Sequence, residues 1–313
     1  MVRGGYAWWY VDALSADGRF GLTIIAFVGS VFSPYYAWSR RGDPLDHCAL
    51  NVSLYGPGYR RWTMTERSRH QVSRTADHLA IGPSAVSWDR DALTIDITEQ
   101  TAPIPQAVRG RVRVYPEMLG HDGFSLDPAG RHRWHPVAPR ARIEVEMERP
   151  DLSWRGEAYF DSNFGDEPLA DGFRHWSWSR AHLARDVGVL YDGVLRDRTP
   201  FAMALRFGRD GRWQEAEAPP AAALSRTLFA MPRTTRADRG AGARVIKTWE
   251  DAPFYARSLV GTKLWGEEVR AVHESLALDR FRSPVVLSML PYRMPRRSPA
   301  SILLGPAAPF LMA

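Results

Sequence analysis

Short runs in which apolar and polar residues alternate, separated by Gly, Asp and Pro turns, fill most of the chain. A period of two is the mark of a half-buried β-strand. Tyr6–Leu14 and Phe20–Gly29 are rich in aromatic and β-branched residues, and Ser15-Ala16-Asp17-Gly18-Arg19 between them carries an Asp-Gly turn, so the pair reads as a hairpin. Ala49–Tyr55, Arg61–Glu66, Ala85–Trp88, Leu93–Glu99 and Val108–Tyr115 read as further strands, with Asp89-Arg90-Asp91 as a turn. In Arg142–Glu148, Ile143, Val145 and Met147 face one way and the charged residues the other; Trp154–Asp161 follows.

After Gly165-Asp166-Glu167-Pro168 the pattern begins again, with Trp176–Ala184, Val187–Leu195, Pro200–Phe207, Leu224–Arg233, Ala243–Glu250, Tyr255–Leu264 and Glu267–Asp279. Phe254–Val260 is the one stretch whose period also admits a helix. The expectation is an all-β protein of two successive barrel-like units, residues 1–165 and 166–313, with the boundary near 162–172. A length of 313 residues suits two medium domains. Pro116–Pro139 is too long for a hairpin turn, and long loops on β scaffolds tend to carry function.

Composition narrows the class. With 45% hydrophobic, 24% charged and 12% aromatic residues, the chain is neither disordered nor built of membrane-spanning helices. The apolar tail Ile302–Ala313 follows basic Arg293, Arg296 and Arg297, but Gly305, Pro306 and Pro309 would break an amphipathic helix there, so a docked or frayed terminus is expected over a surface anchor. The start of the chain shows no secretory leader. One cysteine, Cys48, excludes an internal disulfide and a thiolate metal cluster. The net charge is +6, yet 41 basic and 35 acidic residues are interspersed, without the basic stripe that nucleic acid requires. The 12 tryptophans are the stronger lead.

Three clusters could carry chemistry. In Arg131-His132-Arg133-Trp134-His135-Pro136, an extended chain puts His132 and Trp134 on one face. In Tyr159-Phe160-Asp161-Ser162-Asn163, Tyr159 and Asp161 share a face. Asp161 is either an Asx-type turn cap or a carboxyl that burial keeps hydrogen-bonded or protonated. His132 is read first as a surface histidine among arginines, and its spacing to His135 is a weak metal signal lacking a third ligand. Trp176 and Trp178 share a face of the third cluster; like Trp8 and Trp9, they suit a core strand. No phosphate loop, dinucleotide fingerprint or nucleophile elbow is present in the sequence.

The strings Gly4-Gly5-Tyr6-Ala7-Trp8-Trp9-Tyr10-Val11-Asp12-Ala13-Leu14, Phe27–Tyr36, Tyr159–Gly165 with Trp176-Ser177-Trp178-Ser179-Arg180, and His273-Glu274-Ser275-Leu276 with Asp279-Arg280-Phe281 closely resemble the carotenoid 1,2-hydratases, also called hydroxyneurosporene synthases, of phototrophic purple bacteria. The resemblance runs from Gly4 to about Arg297. It implies two tandem lipocalin-like domains and cofactor-free addition of water to the terminal C1–C2 double bond of an acyclic carotene such as neurosporene or lycopene. The family's important residues correspond to His132, Trp134, Tyr159 and Asp161. On this basis Asp161 is the expected acid, Trp134 and Tyr159 face a carbocation, and His132 holds the attacking water or reprotonates Asp161. Trp8, Trp9, Trp176 and Trp178 become candidate substrate lining, with no metal and no cofactor expected. The positive charge suits peripheral contact with an anionic inner or photosynthetic membrane from the cytoplasm. A non-catalytic isoprenoid carrier and an acid-triggered terpenoid cyclase are the competing expectations.

Overall fold

The computed structural model describes residues 1–297; the apolar tail lies outside the described residues. Twenty-two strands are described. They are β1 (Tyr6–Ser15), β2 (Gly21–Val28), β3 (Cys48–Gly56), β4 (Tyr59–Arg67), β5 (Val72–Arg74), β6 (His78–Ile81), β7 (Ser84–Asp89), β8 (Ala92–Gln100), β9 (Ala107–Pro116), β10 (Phe124–Ser125), β11 (His132–Arg149) and β12 (Leu152–Gly165). Then come β13 (Phe173–His182), β14 (Val187–Leu195), β15 (Pro200–Phe207), β16 (Trp213–Glu215), β17 (Ala221–Leu224), β18 (Arg233–Arg236), β19 (Arg244–Asp251), β20 (Tyr255–Leu264), β21 (Glu267–Ala277) and β22 (Arg296–Arg297). Short helices α1 (Pro34–Trp38), α2 (Leu169–Gly172), α3 (Leu278–Phe281) and α4 (Pro284–Met289) join them.

The strands form two large sheets. The first runs β22-β4-β3-β2-β1-β12-β11-β9-β8-β7-β6-β5, with β10 beside β11, and the second runs β16-β15-β14-β13-β21-β20-β19. The ribbon β17–β18 packs against β13 and β21. The first sheet curls far enough for β4 to meet β8, where Arg67 pairs with Glu99 at 2.9 Å and Thr63 donates to the Gln100 carbonyl at 2.7 Å. The mostly-β expectation holds, and among the described residues each sheet is a curled, open path with no hydrogen-bonded strand pair joining its ends.

Alternation along β1 sorts its side chains between two cores. Val11 and Ala13 join the aliphatic interior of the first sheet's curl, with Leu22, Val52, Ile95 and Val145. Tyr6, Trp8 and Tyr10 join an aromatic core shared with the second sheet, with Trp176, Trp178, Tyr191 and Phe207. The site therefore sits where two sheet faces meet.

Strand β11 must change faces to serve both cores. Its pairing with β12 slips between His135 and Ala138 and again between Ala138 and Ala141. Pro136 and Pro139 have no N–H to give the ladder, and the irregularities let His132 and Trp134 face the aromatic core while Ala141, Ile143 and Val145 face the aliphatic one. This corrects the long-loop reading of Pro116–Pro139: only residues up to Arg131 are connection, and His132 opens an 18-residue strand. Leu224–Arg233 is likewise not one strand but the turn of the β17–β18 ribbon, and Phe254–Val260 lies mostly in β20.

The sheets are also tied by charge. Asp12 of β1 is fully buried and takes hydrogen bonds from Arg180 of β13, Nε to Oδ1 at 2.8 Å, while Arg257 of β20 stands 3.6 Å from its Oδ2. Removing one partner of a buried ion pair leaves the other charged and dry. Asp12→Ala should lower unfolding free energy by about 3–5 kcal/mol in denaturant titration, since two guanidiniums lose their shared carboxylate; a loss below about 1 kcal/mol would remove this cluster as an inter-sheet tie.

Candidate active site

Antiparallel register gathers the site. Tyr10 of β1 lies opposite Asp161 of β12, and Trp134 of β11 lies opposite Asn163, so these residues line one face of three adjacent strands. Asp161 is buried, and its Oδ2 accepts from the Trp134 indole at 2.8 Å and from the Tyr159 hydroxyl at 2.8 Å. Its Oδ1 is buried with no hydrogen-bond partner. Burial pushes the Asp161 carboxyl up to about 8, against the lowering effect of Trp134 and Tyr159 and with Glu274 and Asp12 adding repulsion. The neutral acid has one consistent arrangement. Two donors already point at Oδ2, so the proton belongs on Oδ1, the bare oxygen.

Trp134, Tyr159 and Asp161 therefore form one unit; His132 stands apart from it. The histidine is fully buried, not on the surface, with Nδ1 2.9 Å from the Tyr6 hydroxyl and Nε2 3.2 Å from Glu167. A neutral ring protonated on Nε2 satisfies both, donating to the carboxylate and accepting from the phenol. Desolvation lowers its pKa, opposed by the Glu167 hydrogen bond. Both nitrogens are occupied, and His132 makes no hydrogen bond to Asp161. Its ring packs on Phe173 and on Tyr6, which in turn stacks on Trp8 at 4.9 Å.

The four further tryptophans divide. Trp8 meets Trp176 at 6.4 Å between centroids, and Trp178 lies 5.6 Å from Tyr10 and 5.1 Å from Tyr159. These three belong to the aromatic core. Trp9 does not: the period of two turns it to the opposite face, where Arg74 lies over its ring at 5.4 Å. It is thereby set apart from Trp8, Trp176 and Trp178, which face the aromatic core.

An apolar cavity of 140 Å³ opens between the sheets, walled by Trp8, Tyr10, Phe27, Met64, Trp176 and Glu274 among others. A volume near 150 Å³ suffices for a benzene-sized apolar group, so this space suits the end of a hydrocarbon chain. Asp161 is not in its wall; the Tyr10 ring, 6.2 Å from the Tyr159 ring, belongs both to the wall and to the layer in front of the acid. Reading the sequence by cluster missed Tyr10, Glu274 and Arg257. Face parity with Trp8 signalled Tyr10, whereas nothing local signalled Glu274 and Arg257, whose positions depend on the second sheet. Among the described residues, no group of three His, Cys, Asp or Glu side chains is arranged to hold a metal.

Comparison with known proteins shows the family. Residues 24–302 match the family model described as carotenoid hydratase CrtC. The chain belongs to that family. It is 56% identical over 300 residues to an acyclic carotenoid 1,2-hydratase of Thiocapsa roseopersicina, spanning 95% of this chain and 74% of that one. It is 52% identical over 301 residues to the protein of the same name from Rubrivivax gelatinosus, spanning 94% and 74%. In fold it is similar to kievitone hydratase from Nectria haematococca, with TM-score 0.56, 10% identity and coverage of 88% and 90%. It is also similar to CghA with Sch210972 bound, at TM-score 0.56, 13% identity and 88% of each chain.

The raised pKa of Asp161 has a sign that stability can report. In the unfolded chain an Asp ionises near 3.9, while Asp161 in the fold holds its proton to about 8. Its contribution favours the fold below the lower value and is lost as pH rises between the two. Asp161→Asn, neutral throughout, should therefore gain stability relative to the native chain as pH climbs from about 4 to about 8 in parallel melts. A pH-independent difference would show that Asp161 ionises normally in the fold.

Proposed function

We propose that the protein hydrates the terminal C1–C2 double bond of an acyclic carotene such as neurosporene or lycopene, giving the tertiary alcohol without a cofactor. The observation that carries this reading is the buried Asp161, its carboxyl pushed up to about 8 by desolvation, with one bare oxygen in an aromatic chamber beside an apolar cavity. An isolated trisubstituted alkene is a poor base, so its protonation needs a proton donor that is still protonated at working pH, held against the double bond and out of water, with the resulting cation stabilised. Asp161 delivers H⁺ from Oδ1 to C2; the π electrons form the new C–H bond and leave a tertiary cation at C1. Tyr159, Trp134 and Trp178 supply π faces worth about 0.5–2 kcal/mol or more to a desolvated cation. A water lone pair then closes on C1. The chain end reaches Asp161 by displacing the Tyr10 ring, the last wall between cavity and acid.

The indole of Trp134 has a second task, because it also donates to Asp161. His132 supports the chamber through Tyr6 and Glu167 and is a positioning residue in this reading. The two curled sheets are read as tandem lipocalin-like units, residues 1–165 and 166–313.

Peripheral membrane contact from the cytoplasmic side belongs to this reading, and exposed apolar residues near the cavity support the contact itself. Leu290, Arg293 and Met294 line the cavity on one side and Asp251 and Phe254 on another. Beside them Val285, Met289 and Tyr292 are exposed, as are Leu228 and Phe229 on a turn tied to Asp251 and Arg280. An apolar rim with arginines suits an anionic bilayer, the medium that holds a carotene.

Four results test the proposal. Asp161→Asn should abolish hydration while carotene binding and fold remain; retained turnover would remove Asp161 as the acid. Wild-type turnover should fall about tenfold per pH unit above about 8, as the acid ionises. Trp134→Phe, which keeps a π face and loses the indole N–H, should cost less than Trp134→Ala and more than a purely aromatic role would demand. Val285→Asp with Met289→Asp should weaken flotation with anionic liposomes; unchanged flotation would move the contact elsewhere.

A further inference from the structure

The carboxylate in the cavity wall is Glu274, not Asp161. Glu274 lies on β21 of the second sheet, whereas Asp161 lies on β12 of the first. Its Oε1 accepts from the Tyr10 hydroxyl at 2.7 Å and from Arg257 Nη1. Tyr10 thus spans the two acids: its backbone pairs with Asp161 across the β1–β12 ladder and its hydroxyl rests on Glu274. A hydrocarbon end that displaces the Tyr10 ring enters the space between them.

Two carboxyl groups flanking one reacting bond, with room for a water at one of them, is the arrangement by which an acid and a base share an addition of water. The partners of the two acids differ. Asp161 is satisfied only by neutral donors, Trp134 and Tyr159, and has a bare oxygen. Burial raises the pKa of Glu274 too, but there the guanidinium of Arg257 opposes the rise and favours the ionised form, a partner that Asp161 lacks.

We propose that Glu274 is the general base of the reaction, binding the attacking water in the cavity and accepting its proton as the oxygen bonds to C1. The proposal rests on the hydration reading above. The balance is complete: Asp161 loses H⁺ to C2, water adds to C1, and Glu274 takes one proton from the bound water. A proton then passes from Glu274 to Asp161 through solvent, restoring both groups. Net consumption is one alkene and one water. Arg257 is a positioning residue, held in turn by Asp12.

The test separates protonation from water capture. Lycopene in liposomes is incubated in D₂O with wild type, Glu274→Gln, Glu274→Asp and Asp161→Asn; hydrated product and deuterium in recovered lycopene are measured by mass spectrometry. In Glu274→Gln the cation still forms but collapses back to alkene on Asp161. Hydration should fall about 10²- to 10⁴-fold while recovered lycopene gains end-group deuterium. Asp161→Asn should show neither. Hydration by Glu274→Gln within about threefold of wild type overturns the assignment and leaves the hydration reading standing. Loss of both signals in a folded Glu274→Gln overturns it as well, since Glu274 would then act at the protonation step. Absence of hydration by wild type overturns both readings. If Glu274→Gln does not fold, Glu274→Asp decides, because it keeps the charge opposite Arg257 and withdraws it by one methylene: hydration reduced at least about tenfold with deuterium retained supports the proposal, and wild-type turnover overturns it.

Discussion

The site depends on one costly placement: a carboxyl group buried among aromatic rings where two sheets meet. A charged carboxylate there would forfeit its hydration, so burial favours the neutral form, and the neutral form keeps a proton available beside the aromatic rings at a pH where an exposed Asp has lost it. Two donors on one oxygen and none on the other give that neutral group a direction. Much of the surrounding architecture maintains this condition. The β11 irregularities aim Trp134 at Asp161, and the second sheet brings Trp178 and Tyr191 over it to exclude water.

Charge is excluded from the chamber but not from its surroundings. Asp12, Arg180, Arg257 and Glu274 form a buried network that crosses between the sheets. Its ions are paired, as burial requires, and it fixes the second sheet over the first. It also sets the two candidate catalytic carboxyls apart electrostatically: cationic partners collect at Glu274 and Asp12, and none contacts Asp161. His132 belongs to the same logic at the other end of the aromatic face, where its ring nitrogens tie Tyr6 to Glu167 and keep the Tyr6–Trp8 stack in place.

Much of this was legible in the chain because β-structure writes its faces in parity. Tyr159 with Asp161 and His132 with Trp134 were paired by the period of two, and each pair does share a face. The same rule would have separated Trp9 from Trp8 and grouped Tyr10 with Trp8, had β1 been sorted by parity instead of by residue type. What could not be read locally was everything set by long-range contact. Pro136 and Pro139 suggested a loop, because a proline-bearing strand survives only through ladder irregularities that depend on its neighbours. How far each sheet closes was beyond local reading for a related reason, since alternation specifies a half-buried strand and not whether the ends of its sheet meet. Glu274 was visible only as part of a resemblance, since its position opposite Tyr10 is created by the packing of two sheets more than 250 residues apart in sequence.

The central claim is that Asp161 carries a proton at physiological pH. The infrared carboxyl region of the native protein minus that of Asp161→Asn measures this directly. The account predicts a protonated C=O band at neutral pH that is absent from the variant and titrates away near 8. A difference spectrum containing only carboxylate bands at neutral pH would contradict it.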